Sequence, residues 1–245
     1  MNKTEEKYHI PFRIKVNRWF MRGFFRAFFN LLGKVEISGL ENIPDHNKYV
    51  VVFNHVSLVE VPFIAAFWPT IIEIIGAAAV WERPGVSIVA KMWSGVQVKR
   101  TVVDRDVFKQ VIKVFEADRP LMISPEGGRS HTPGLRRGKA GVAYIIDQVD
   151  AVVIPAAVVG NTMDFLTLGL KGKRQPIKMI VGEPFKMPAL EGRGEKRRLM
   201  RQQNTDYIMA RLAALLPESY RGVYAEYEKI LAGEKVDLPD PDPVS

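Results

Sequence analysis

The stretch that decides the fold is YVVVFNHVSLVE, Tyr49–Glu60. Its first five residues are β-branched or aromatic without a polar break, the pattern of a strand buried on both faces. Asn54 and His55 end the run, and the apolar segment from Val61 to Trp68 reads as a helix stopped by Pro69. Outward from here the alternation continues. Strands are predicted over 70–76, 95–99, 121–124, 151–159 and 177–181, and helices over 84–93, 104–118, 139–148, 195–216 and 220–231. A loop spans 125–138. Such alternation implies an α/β fold, a single domain with a mixed, largely parallel central sheet flanked by helices.

Composition agrees with a globular domain and narrows little else. The chain has 245 residues, 47% hydrophobic and 25% charged, with no cysteine. Disulfides, thiolate nucleophiles and Cys-ligated metals are thereby excluded. The net charge of +8 suits nucleic acid, anionic headgroups or acidic small molecules equally. His9, His46 and His131 lie in unrelated contexts, so no metal site is expected. Nucleic acid is not an expected partner, because the aromatics cluster near the N-terminus instead of interleaving with basic residues.

That N-terminal region is distinctive. Met1 to Lys15 is charged throughout and does not read as a secretory signal. From Trp19 to Leu32 the sequence holds five phenylalanines and a tryptophan, while Arg18, Arg22 and Arg26 recur every fourth residue. On a helix the arginines form one stripe and aromatics cover much of the rest. Such a helix suits a bilayer interface, with aromatics in the acyl boundary and arginines on phosphates; packing on the domain's own core is the competing reading. The arginines interrupt any run long enough to span a membrane. The expected organisation is a membrane-docking segment over 1–34, a main domain over 35–235 and a flexible tail over 236–245.

Four clusters carry candidate chemistry. In the first, His55 follows a strand and Glu60 stands five residues on, the parts of a general base and the carboxylate that orients it. Five residues on a continuous helix would place them about 140° apart, so they meet only if His55 lies in the turn before the helix. Ser57-Leu58-Val59-Glu60 also matches a helix capping box. The second cluster is Gly95-Val-Gln-Val-Lys-Arg100, a strand ending in two cations. The third is Pro125-Glu126-Gly127-Gly128-Arg129-Ser130, where glycines allow close backbone approach and Arg129 offers a planar fork to phosphate oxygens. The fourth is Val153-Ile154-Pro155, whose proline points to an edge or a ligand wall.

In this order the clusters resemble the glycerolipid acyltransferase family, the 1-acyl-sn-glycerol-3-phosphate acyltransferase (PlsC-like) group. NHVSLVE, GVQVKR, PEGGRS and VIP stand for that family's N-H-x-x-x-x-D, G-x-x-x-x-R, P-E-G-T-R-S and I-P blocks, and the resemblance runs from about Val35 to Lys186. It implies His55 as the base and Glu60 as its partner. Arg100, Glu126, Gly127, Gly128 and Arg129 would bind the acceptor with help from Lys139, and Ile154 and Pro155 would line the acyl side. The implied reaction needs no cofactor. An acyl-CoA or acyl-carrier protein donates the acyl chain, a lysophospholipid accepts it, and the enzyme sits peripherally on a phospholipid surface at the cytoplasmic face. Glycerol 3-phosphate or another lysophospholipid is the alternative acceptor, and a non-catalytic lipid-binding relative the alternative class. Two residues depart from the pattern: Glu60 replaces the aspartate, one methylene longer, and Gly128 replaces a threonine.

Overall fold

Tyr49–Phe53 forms strand β2, buried at every position. Its alternate residues serve two cores: Tyr49, Val51 and Phe53 pack on one side of the sheet, Val50 and Val52 on the other. The structure, a computed structural model, describes residues 8–98 and 105–241. Around β2 the chain runs α1 (Phe12–Leu32), β1 (Gly33–Ser38), α2 (Glu60–Phe67), β3 (Glu73–Ala77), α3 (Val86–Trp93) and β4 (Val96–Val98). It continues with α4 (Arg105–Glu116), β5 (Leu121–Ile123), α5 (Gly141–Val149), β6 (Val152–Val159), α6 (Phe165–Leu170) and β7 (Gln175–Val181). β8 (Phe185–Lys186), α7 (Gly194–Ala213), α8 (Glu218–Arg221) and α9 (Tyr227–Leu231) close it.

The eight strands described form one sheet in the order β1-β7-β6-β2-β5-β3-β4, with β8 also on β6. All pairings are parallel except those of β6 with β7 and β8. The sheet is therefore mixed and largely parallel, as the alternation implied. Two expectations need correction. Pro155 is not on an edge: β6 is central, and Pro155 pairs with Val52 of β2. Its carbonyl accepts the Gly182 N–H at 2.8 Å, so the missing N–H faces the break where β7 gives way to β8. The helix predicted over 220–231 is broken at Gly222, which sits at φ 52°. A Cβ there would meet the Leu135 carbonyl oxygen at 2.2 Å, so a contact with a distant loop ends the helix.

The arginine stripe of α1 turns inward. Arg18, 1% exposed, places both Nη atoms on the Glu73 carboxylate at 2.6 and 2.7 Å and donates from Nε to the Trp93 carbonyl. Arg22 donates to the carbonyls of Trp68 and Pro69, and Arg26 to that of Ala66 at 2.7 Å. These carbonyls end α2, where no intrahelical donor remains, so cations there are doubly favoured. The same positions answer the protein's own orphan carbonyls, the packing that competed with a lipid-facing stripe. What α1 leaves outside includes an aromatic face, with Phe12, Trp19, Phe20 and Phe24 all more than half exposed. No described helix is long and apolar enough to cross a membrane.

Glu73 is fully buried, and Arg119 and Tyr8 complete its shell at 2.7 and 2.8 Å. Burial alone would push this carboxyl up, but the Arg18 fork and Arg119 outweigh it and hold it below the ordinary range. Breaking such a pair leaves an uncompensated charge. Arg18→Ala is expected to cost about 3–5 kcal/mol in urea unfolding and to expose α1 to proteolysis.

Candidate active site

Strands β6, β2 and β5 lie side by side and parallel, Val51 level with Ile154 and Met122. Loops leaving the C-terminal ends of adjacent parallel strands meet in one crevice. Here those loops are the turn from Asn54 to Val59, the segment from Ser124 to Gly138, and Gly160-Asn161. Asn54 continues the ladder past the end of β2. Its amide donates to the Val158 carbonyl at 2.8 Å and its Oδ1 accepts the Val158 N–H at 2.7 Å. That side chain takes the place of a backbone pair and frees the chain to turn at His55.

His55 lies in the turn, and α2 begins only at Glu60. Its Nδ1 faces Glu60 Oε2 at 3.5 Å, with the imidazole side chain 19% exposed and the carboxylate fully buried. Neither atom has a hydrogen-bond partner among the described residues, so each faces the other with no competitor. The second carboxylate oxygen is saturated. Oε1 accepts the N–H of Val56 at 2.6 Å, that of Ser57 at 2.7 Å and the Asn161 amide at 2.6 Å. Cap and partner are thus both realised, one oxygen each: Oε1 reaches back over the helix start while Oε2 addresses the ring. The ring also packs on Phe53, centroid to centroid 5.7 Å. With Nδ1 buried, the accessible edge of the imidazole is the one carrying Nε2.

Glu126 lies beneath the loop, bonded to two stretches of backbone. It is 2% exposed, and its Oε1 accepts the His55 N–H at 2.9 Å while Oε2 accepts that of Arg136 at 3.1 Å. These two bonds make it a clamp between the His55 turn and the loop after β5. Two further backbone bonds close the same seam, Ser130 N–H to the His55 carbonyl and His131 N–H to that of Val56. Burial pushes the Glu126 carboxyl up to about 7 against the N–H donors that favour its charge.

The rest of the loop borders this crevice. Gly127 sits at φ 68°, and a Cβ there would press the Lys139 chain at 3.1 Å, so glycine lets that lysine lie across the loop. Gly128 gives its carbonyl to Arg136 at 2.6 Å. Arg129 is partly buried, with no hydrogen bond or ion pair to a described residue. Burial and then the nearby Arg83 guanidinium push it down, against the pull of Glu60. Two cations and one carboxylate therefore act on one another at this loop. Ile154 and Pro155 are not brought there: both lie buried in mid-strand, at the level of Val51 and Val52. Arg100 falls outside the described residues.

A family model for acyltransferases matches residues 34–159, half of the chain. The chain belongs to the acyltransferase family. Among solved structures, the fold is similar to that of the 1-acyl-sn-glycerophosphate (LPA) acyltransferase PlsC from Thermotoga maritima, with a TM-score of 0.58 and 23% identity. The likeness covers 80% of this chain and 79% of that one. This acyltransferase shares with it an α/β fold around a mixed, mostly parallel sheet.

Two residues around the site escaped the sequence reading. Asn161 reaches Glu60 from the end of β6, and Arg83 approaches Arg129 from the segment before α3. The polar break after an apolar strand marks both Asn54 and Asn161, so that signal was present once β6 and β2 were taken as neighbours. For Glu126 the folded carboxyl titrates near 7, above its ordinary unfolded value. Its contribution to stability is therefore fully present below about 4.5 and lost as pH rises through 7. Urea midpoints measured from pH 5 to 8 are expected to fall more steeply in the native protein than in Glu126→Gln.

Proposed function

We propose that this acyltransferase moves a fatty acyl chain from an acyl thioester, acyl-CoA or acyl-carrier protein, to the free hydroxyl of 1-acylglycerol 3-phosphate, giving phosphatidic acid. The observation that carries this reading is His55 Nδ1 set 3.5 Å from the buried, otherwise unpartnered Glu60 Oε2. A carboxylate so placed favours the tautomer with the proton on Nδ1 and leaves Nε2 as a base. Nε2 takes the proton of the acceptor hydroxyl as the oxygen attacks the thioester carbonyl. Collapse of the tetrahedral intermediate breaks the C–S bond, and the imidazolium returns the proton to the leaving thiolate. No covalent acyl-enzyme is needed, in keeping with a chain without cysteine.

Arg129 is the proposed phosphate ligand. A dianionic phosphate would offset both the burial and the Arg83 repulsion that lower its pKa. Arg100 and Lys139 add positive charge in this reading, and Gly127 and Gly128 let the phosphate approach the backbone. The named substrate of the Thermotoga enzyme is the acceptor assigned here. The exposed aromatic face of α1 supplies the membrane contact, entering the acyl boundary. Arg18 is buried and Arg22 and Arg26 are hydrogen-bonded to α2, so apolar insertion is the main contribution of this helix.

Labelled acyl-CoA offered with a panel of lyso-acceptors in liposomes tests the reaction. Phosphatidic acid is the expected main product, abolished by His55→Ala. Product on glycerol 3-phosphate or another lysophospholipid would reassign the acceptor, and a folded, vesicle-bound protein with no transfer at all would leave a lipid-binding protein. Glu60→Gln is expected to lower turnover by at least about 100-fold, through loss of the tautomer-setting charge, and Glu60→Asp by much less. In flotation assays, binding to neutral phosphatidylcholine vesicles should survive about 0.5 M salt, where exposed charges are largely screened. It should be lost in the Trp19→Ser, Phe20→Ser double variant.

A further inference from the structure

Asn161 stands two residues beyond β6 and is completely buried. Its Nδ2 donates to Glu60 Oε1 at 2.6 Å, its one side-chain hydrogen bond among the described residues. The Oδ1 of the same amide is equally buried and accepts nothing from them. A buried amide with an empty acceptor costs free energy that an apolar side chain of the same shape would not. The donor of the same amide is committed to Glu60.

The three donors on Oε1 differ in origin. The N–H groups of Val56 and Ser57 belong to the same turn as His55 and move with it. The Asn161 amide comes from a different strand, fixed to β2 by the β6 ladder and by Asn54. Only this donor refers the carboxylate to the sheet. Glu60 also has one more side-chain torsion than the aspartate of the family pattern, so its two oxygens need an added restraint. We infer that Asn161 is a positioning residue for the His55–Glu60 pair: it pins Oε1 from the sheet and thereby holds Oε2 opposite His55 Nδ1. The inference rests on the reading of His55 as the base.

The test is Asn161→Leu, branched alike and unable to donate, assayed for transfer to 1-acylglycerol 3-phosphate from pH 5 to 9. Turnover is expected to fall roughly 10-fold or more, the scale of one hydrogen bond to a charged group, with the acceptor KM unchanged. The acidic limb of the kcat profile should move to lower pH, because the imidazolium loses the oxygen that stabilises it. The other titratable groups near the pair are Glu126 and Arg129 on the loop after β5 and Tyr220 on α8, all intact in the variant. In a Glu60→Gln background the same substitution should have little further effect, since it acts through Glu60.

An unchanged kcat and pH profile in folded Asn161→Leu overturns the inference, as does a fall that simply adds to that of Glu60→Gln. His55→Ala run beside it separates the two readings. Activity retained there removes the base itself, whereas an inactive His55→Ala with an unaffected Asn161→Leu removes only the role of Asn161. Should the leucine variant not fold, Asn161→Ser, too short to reach Glu60, carries the same comparisons.

Discussion

The parallel register of β6, β2 and β5 is the constraint on which the rest of this acyltransferase depends. Val51 stands level with Ile154 on one side and Met122 on the other, so the three strands release their loops at one end of the sheet. The turn from Asn54 to Val59 makes no regular structure of its own. It is held by side chains and backbone groups of its neighbours: Val158 and Asn161 from the β6 side, Glu126 and the N–H groups of Ser130 and His131 from the loop after β5. A slip of one residue in either pairing would turn every inward side chain outward and would dismantle the turn with it.

Within that frame three buried glutamates show how surroundings assign a carboxylate its work. Glu73 is enclosed by two guanidinium groups and stays charged, which fastens α1 and the segment around Arg119 to the core. Glu126 has mainly backbone N–H donors, and burial lifts it to about 7, so it joins two loops at a bond strength that depends on pH. Glu60 is divided between cap and imidazole. All three cost desolvation, and each repays it by joining elements that hydrophobic packing alone would leave free to shift.

Much of this was legible in particular residues. YVVVF marked a strand open to two cores because both of its faces are apolar, and the five-residue gap from His55 to Glu60 already required a turn before the helix. The loop after β5 was visible as a glycine pair among polar residues. Other features were not legible, for physical reasons. β1 and β8 are short or polar at alternate positions and exist through pairing with β7 and β6. α6 is six residues long and carries no periodicity to read.

The sequence by itself determined the alternation of elements, the two-faced burial of the central strands and the identity of the groups able to do acid–base and anion chemistry, since these follow from side-chain type and local period. Tertiary structure alone decided which partners those groups met. The i, i+4 spacing of Arg18, Arg22 and Arg26 defines a stripe on a helix but not what the stripe faces, and here it faces the carbonyls ending α2 and the Glu73 carboxylate. Glu126 and Asn161 likewise took their roles from distances across the sheet. A side chain's chemistry is local, whereas its partner is a matter of which distant strand lies alongside.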